Sequence, residues 1–101
     1  MKMKKSKLVR DKIPEIIEGE GRAPMVHTAD DAEYWQKLKE KLLEEVEEFK
    51  KDENREELAD ILEVLEAIVE YKGFSGTEIE KIKEKKVEER GAFKKRIILE
   101  V

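Results

Sequence analysis

The sequence predicts a mainly α-helical protein centred on an antiparallel hairpin of two long helices, with room for a small β element. Two segments repeat apolar residues at intervals of three to four, which is the spacing of an amphipathic helix. A short polar turn at residues 52–54 separates them, and so brief a connection favours antiparallel neighbours. Capping residues before the helical segments support the same fold class.

The chain opens with a short predicted helix over residues 13–17. Asp11 is its expected N-cap, Pro14 is acceptable in the first turn, and Gly19 and Gly21 end it.

Two apolar segments could form the small β element. Residues 23–28 (APMVHT) are expected to form a loop or a brief strand. The tail at residues 96–101 (RIILEV) is apolar and β-branched, so a strand that pairs with the Met25 region is an open alternative.

The first long helix is predicted from about Asp31 to Lys51, after the capping-box pattern Asp30-x-x-Glu33. The second follows the turn and is stopped by Gly73. The apolar stripe of the first helix is Trp35, Leu38, Leu42, Val46 and Phe49. That of the second is Leu58, Ile61, Leu62, Leu65, Ile68 and Val69.

A last, highly charged helix is predicted from the Ser75-x-x-Glu78 capping pattern to about Arg90, with Gly91 beyond it. It is only weakly amphipathic, so little of its surface is expected to pack.

Composition limits the classes of protein to consider. The chain has 101 residues, which predicts one domain, and only 39% of them are hydrophobic while 48% are charged. The core should therefore be thin, and association with further copies would bury more of it. The absence of cysteine excludes disulfides and thiolate metal sites, and the abundance of Lys and Glu is typical of heat-adapted proteins.

Partners and location follow from charge and hydropathy. The net charge is −4, which does not favour binding to nucleic-acid polymers. No apolar run is long enough for a membrane span, and the basic start MKMKKSK is not followed by a signal-type segment. We therefore expect a cytoplasmic protein without a membrane partner.

Two acidic pairs with the same spacing lie on either side of the turn, Glu45-x-x-Glu48 and Glu57-x-x-Asp60. On a helical wheel each pair lies about 80° and 140° to one side of its apolar stripe, so both pairs would open onto one surface of the hairpin. Four converging carboxylates favour a divalent cation such as Mg²⁺. Ordinary solvated surface charge is the alternative, and Asn54-x-x-Glu57 also reads as a capping box.

These residues resemble the EExxE…ExxD signature of the MazG-like all-α nucleoside triphosphate pyrophosphatase superfamily. The resemblance extends over nearly the whole chain, so residues 1–101 would be one such domain. It includes four blocks: KLVRDKIPEII from residue 7, KLLEEVEEF from 41, ELADILEV from 57 and ERGAF from 89. A small subgroup labelled house-cleaning pyrophosphatases, or phosphoribosyl-ATP pyrophosphohydrolase-like proteins, is the most similar. The chain differs from larger relatives in being a single minimal copy with an unusually brief turn.

The resemblance implies Mg²⁺-dependent, or Mn²⁺-dependent, cleavage of a nucleotide between its α- and β-phosphates. It implies that the metal ligands are Glu45, Glu48, Glu57 and Asp60, of which Glu45 and Glu48 would also be catalytic. Glu44 is a less certain neighbour. Relatives commonly form dimers or tetramers, so we expect a homodimer or homotetramer.

Phosphate groups require cations, and the family motifs suggest four: Arg10, Lys12, Lys86 and Arg90. Each could equally be a surface charge. His27 is expected to be a loop or packed residue rather than a catalytic one, and Trp35 a packing residue rather than a base-stacking one.

Two other functions fit the same residues. One is phosphoribosyl-ATP pyrophosphohydrolase-like activity, which the sequence does not separate from hydrolysis of other nucleotides. The other is a non-catalytic helical module that binds a nucleotide or a protein.

Overall fold

The computed structural model describes residues 6–100, and this range contains four helices and no strand. The helices are α1 (Ile13–Gly19), α2 (Asp31–Lys51), α3 (Arg55–Lys72) and α4 (Gly76–Arg90). The prediction of a mainly α-helical fold is confirmed. None of these helices has both the length and the apolar character needed to cross a bilayer.

The chain forms two compact units, whose described parts are residues 6–68 and 69–100. The first unit contains α1, α2 and most of α3. The second contains the last turn of α3, then α4 and the tail.

The two long helices begin where side-chain caps satisfy their first backbone donors. Asp30 is the N-cap of α2, and its Oδ1 accepts a hydrogen bond from the backbone N–H of Glu33 at 2.9 Å. The Oδ1 of Asn54 accepts one from the N–H of Glu57 at 3.0 Å, at the start of α3. Each bond satisfies one of the unpaired N–H groups of a first helical turn.

A tight reversal at residues 52–54 makes α2 and α3 an antiparallel hairpin. Carboxylate oxygens of Glu45, Glu57 and Asp60 lie within 4.8 Å of one another. Had α3 continued in the direction of α2, fifteen residues of helix would separate Glu45 from Asp60 by roughly 22 Å. The chain must therefore fold back on itself, as the short turn predicted.

The packed face of α2 agrees with its predicted stripe, whereas that of α3 differs in part. On α3 the buried apolar residue is Val64, at 8% exposure, whereas Leu62 is 62% exposed. On α2 the buried residues are Leu38 and Glu45. Leu38 belongs to the predicted α2 stripe, whose residues are buried or half-buried except Val46. On α3 apolar residues occur on two sides of the helix, so periodicity alone chose the wrong side for part of that stripe.

The acidic residues therefore lie closer to the packed face than the wheel predicted. Glu45 is two helical turns from Leu38, so both point to the same side of α2. On α3, Glu57 and Val64 are likewise two helical turns apart and point to the same side of the helix. Glu57 and Asp60 are both half-buried. The carboxylates extend the packed stripes instead of flanking them at a distance.

The N-cap of α1 lies one residue later than predicted. Its N-cap is Lys12, in a helical conformation and without a side-chain capping bond, so the prediction of Asp11 was wrong. Pro14 lies in the first turn, where its missing N–H costs nothing. Gly21, with φ of +83°, follows the C-cap.

Neither candidate strand forms in the described range. Residues 23–28 are an irregular loop, and Met25 is 87% exposed. In the tail, the N–H of Arg96 bonds the carbonyl of Phe93 at 3.2 Å, and Arg96 has φ of +59°. This turn precedes residues 97–100, which form no strand. The last residue, Val101, lies outside the described range.

The second unit contains a well-delimited helix with exposed sides. Ser75 caps α4, since its Oγ accepts from the N–H of Glu78 at 3.2 Å. Gly91 ends the helix with φ of +85°, a conformation that glycine adopts without strain. Every residue of α4 is exposed, in agreement with its weak amphipathic pattern.

Candidate metal centre

Three of the four predicted ligands come together on the hairpin. Glu45 of α2 and Glu57 and Asp60 of α3 each place one carboxylate oxygen within 4.8 Å of the others. We call these three residues the carboxylate cluster. Glu45 is only 8% exposed, and the other two are half-buried.

Local structure determines where each carboxylate lies. Glu57 occupies the first turn of α3, and the Asn54 cap fixes its backbone. Asp60 lies almost one turn further, on the same side of the helix. Only one of the two hydrogen bonds of the predicted capping box is present: the Asn54 side chain accepts from the backbone N–H of Glu57. The Glu57 side chain lies in the carboxylate cluster instead.

Two cations contact the cluster. Lys41 Nζ lies 3.2 Å from Glu45 Oε1, and this pair is well shielded from solvent. The guanidinium of Arg10 donates a hydrogen bond to Asp60 Oδ1 at 2.8 Å. Three carboxylates thus face two positive charges, and Lys41 is also shared with Glu44 at 3.3 Å.

The pKa of Glu57 reflects this excess of negative charge. Its pKa is raised above the ordinary value, first by partial loss of solvent and then by the charges of Asp60, Glu48 and Glu45, with a small effect of Asp52. The neighbouring carboxylates therefore disfavour ionised Glu57, and an added positive charge would relieve that repulsion.

Glu48 lies near the cluster but not within the 4.8 Å group. It is half-buried, and its charge contributes to the raised pKa of Glu57, which places it within electrostatic reach. Among residues 6–100 it forms none of the ion pairs or side-chain hydrogen bonds that engage its neighbours. The structure thus separates one carboxylate from the three that converge.

Glu44 belongs to a neighbouring ion-pair group rather than to the cluster. It pairs with Lys7 and Lys41, each at 3.3 Å. Burial alone would raise its pKa, but these two cations outweigh that effect and hold the pKa below the ordinary value.

An open groove of about 340 Å³ lies along α2 beside the N-terminal segment. Its lining includes Lys7, Lys41, Glu44 and Glu48. Since Lys41 lines the groove and also contacts Glu45, the groove and the carboxylate cluster adjoin.

The four predicted phosphate-binding cations occupy different places. Arg10 contacts the cluster through Asp60, and Lys12 is exposed two residues further along the chain. Lys86 and Arg90 are exposed on α4, in the second unit. Their role in phosphate binding stays a prediction.

Lys41 and Lys7 were missed by the sequence argument. Lys41 precedes Glu44 and Glu45 by three and four residues, a spacing that places them side by side on a helix and could have revealed the contacts. No local spacing could have revealed Lys7, because its partner Glu44 is distant in the chain.

His27 and Trp35 lie apart from this chemistry. The Nε2 of His27 is 2.9 Å from Glu33 Oε1, in the exposed loop before α2. Lys39 Nζ lies over the ring of Trp35, 5.2 Å from its centroid. The expected loop position of His27 is confirmed.

The donor set of the cluster fits a hard divalent cation. Carboxylate oxygens are the ligands that Mg²⁺ and Mn²⁺ prefer, and the chain has no cysteine. Opposite oxygens across Mg²⁺ are about 4.2 Å apart, twice the metal–oxygen distance. Oxygens already within 4.8 Å therefore need only small side-chain adjustments to bind one ion.

Comparison with known proteins gives one informative match. The chain is 47% identical over 51 residues to a protein of Mycolicibacterium smegmatis (strain ATCC 700084 / mc(2)155) that is described as uncharacterized. The match covers 50% of this chain and 52% of that protein, so the chain spans about half the length of this relative. No family model and no solved structure matches the chain.

Proposed function

We propose that this protein is a nucleotide pyrophosphohydrolase of the MazG-like kind, dependent on Mg²⁺ or Mn²⁺. The observation that carries the proposal is the meeting of Glu45, Glu57 and Asp60 at one point of the hairpin. Neighbouring carboxylates repel one another, and a bound cation would relieve the repulsion that Lys41 and Arg10 leave.

In this proposal the cluster residues bind the cation. When bound, the ion would supply positive charge for phosphate oxygens and Lewis acidity for the attacking water. Arg10 and Lys12 of the N-terminal segment would neutralise further phosphate charge, and the groove along α2 would receive part of the nucleotide.

The reaction needs one water and one proton acceptor. The water oxygen forms a bond to the α-phosphorus, and the bond from that phosphorus to the bridging oxygen breaks, so that pyrophosphate leaves with the electron pair. Glu48 is the proposed acceptor of the proton from water, because it is near the cluster and has no ion-pair partner within residues 6–100. The products are a nucleoside monophosphate and pyrophosphate.

Self-association is part of the proposal. Leu58, Leu62 and Leu65 form an exposed stripe at helical spacing on α3, and Leu43 and Val46 are exposed on α2. Within residues 6–100 the buried apolar residues are only Leu38 and Val64. A second copy that covers these leucines would supply the missing core, in a dimer or tetramer.

The test is release of pyrophosphate from a panel of nucleoside and deoxynucleoside triphosphates, with phosphoribosyl-ATP included. With Mg²⁺ or Mn²⁺ we expect turnover of at least one member. Glu48→Gln is expected to reduce the rate by about 10²–10⁴-fold, the usual contribution of a general base. Asp60→Asn should reduce it through weaker cation binding.

The matched control is Glu56→Gln, which removes one carboxylate from the exposed side of the same first turn of α3. It should retain the activity of the wild-type protein. If no nucleotide yields pyrophosphate above a metal-free blank, the enzyme proposal fails, and a non-catalytic binding module becomes the better account.

A further inference from the structure

The N-terminal segment is fastened across both helices of the hairpin. Lys37 Nζ on α2 donates a hydrogen bond to the backbone carbonyl of Ser6 at 3.1 Å, and Lys7 pairs with Glu44 at 3.3 Å. A few residues later, Arg10 reaches Asp60 on α3. The first two contacts set the position of the segment, and the third brings a guanidinium to the carboxylate cluster.

From this contact we propose that Arg10 is a built-in counter-ion that competes with the divalent cation for Asp60. The inference rests on the proposed function, because it concerns the same cation site. Asp60 Oδ1 is engaged by Arg10 at 2.8 Å. An oxygen that accepts this charge-assisted bond is less available to a metal ion, so the ion must displace or weaken the contact.

The two cations that contact the cluster differ in how easily they can leave. Lys41 is mostly buried beside Glu45, whereas Arg10 is 56% exposed in its side chain. An exposed ion pair contributes little to stability, so an incoming divalent ion can break it. Lys41 therefore remains with Glu45, and Arg10 is the cation that exchanges.

Exchange of Arg10 for the divalent cation at Asp60 would give Arg10 two successive roles, one before and one after the cation binds. While no ion is bound, the guanidinium lowers the repulsion among the three carboxylates. Once the ion holds Asp60, the freed guanidinium stays near the cluster, since Ser6 and Lys7 anchor the segment. It is then available to a phosphate oxygen of the substrate.

The experiment measures Mn²⁺ binding without nucleotide, by the loss of the free-ion signal in electron paramagnetic resonance. Arg10→Gln is expected to bind Mn²⁺ about three- to tenfold more tightly than the wild-type protein, because a competing positive charge is removed. The difference should shrink at high ionic strength, where exposed charges are screened. Arg10→Lys keeps the charge and should return most of the way to the wild-type Kd.

The matched control is Arg22→Gln, which breaks another exposed arginine–carboxylate pair, with Glu20. It should leave the Kd for Mn²⁺ unchanged. Thermal melts without metal provide a second readout: Arg10→Gln should melt lower than the wild-type protein, yet gain more from Mn²⁺.

The two failures are distinguishable. If Arg10→Gln retains the helical circular dichroism of the wild-type protein but binds Mn²⁺ equally or more weakly, Arg10 does not compete and the inference is wrong, while the proposed function stands. If the wild-type protein itself binds no Mn²⁺, both the cation site and the inference are overturned.

Discussion

Glu45 shows how one residue combines structure and chemistry. Taking a carboxylate out of water costs several kcal/mol unless a partner compensates. Lys41 compensates here at 3.2 Å, one helical turn earlier on the same face. The pair needs no distant contact to form, but its burial depends on α3 lying across α2.

Glu57 leads to a prediction about pH. Its folded-state pKa is raised, so the folded protein holds the proton more tightly than the unfolded chain does. The stability that it contributes is fully present below its ordinary pKa of about 4.5 and is lost as pH rises through the higher folded-state value. Glu57→Gln should therefore raise the Tm at pH 7 without metal, and the gain should vanish near pH 4.

Glu40→Gln provides a comparison of opposite sign. Hydrogen bonds from Gln36 and then Lys37 lower the pKa of Glu40, so its contribution is present above the ordinary pKa and is lost as pH falls through the folded-state value. This variant should lower the Tm at pH 7. Melting curves of the two variants and the wild-type protein from pH 4 to 8 test both predictions. If the Tm of Glu57→Gln at pH 7 lies below that of the wild-type protein, repulsion among the cluster carboxylates does not destabilise the fold.

At the scale of elements, local sequence signals located the helices well. The capping patterns at Asp30, Asn54 and Ser75 each marked the residue whose side chain accepts from the third helical N–H. These bonds join residues three apart, so the sequence contains all the information they need. The prediction that Asp11 caps α1 was wrong. The helix begins at Ile13, its N-cap is Lys12, and no side chain forms a capping hydrogen bond there.

The caps allow a prediction that separates helix stability from the site. Asn54→Ala should cost about 1 kcal/mol through loss of the α3 cap. It should also weaken the thermal stabilisation by Mg²⁺, because the first turn of α3 carries Glu57. Asp30→Ala removes the α2 cap at a similar cost, far along the helix from Glu45, and should leave the Mg²⁺ response intact.

Chemical denaturation with and without Mg²⁺ measures both quantities. Equal Mg²⁺ responses in the two cap variants would mean that α3 does not depend on Asn54 to present Glu57.

At the scale of the whole molecule, the described residues include several leucines that are largely exposed. Leu43 and Leu62 are each more than 60% exposed, on helices whose other faces are packed. Scattered exposed leucines are normal, but a stripe at helical spacing is typical of an interface.

This surface leads to a prediction about assembly. The protein should sediment as a dimer or larger oligomer, with dissociation on dilution. Leu62→Glu should shift it toward the monomer and lower its stability, since a buried charge at the interface would lack a partner. Glu63→Gln, at the neighbouring exposed position, is the control and should assemble normally.

Analytical ultracentrifugation over a range of concentrations distinguishes these outcomes. A monomer at every concentration would remove self-association from the proposal without affecting the cation site.

The sequence by itself determined the helices and the caps of α2, α3 and α4, because hydrogen bonds between near neighbours in the chain decide them. It also named four candidate carboxylates, but the packing of α3 against α2 decided that three of them converge. Tertiary structure decided which face of α3 is buried, with Val64 buried rather than Leu62, since apolar residues occupy two sides of this helix. It also decided the contact of Arg10 with Asp60, which depends on how the N-terminal segment lies across the hairpin. No local spacing encodes that path, because the two residues are brought together only when distant parts of the chain pack.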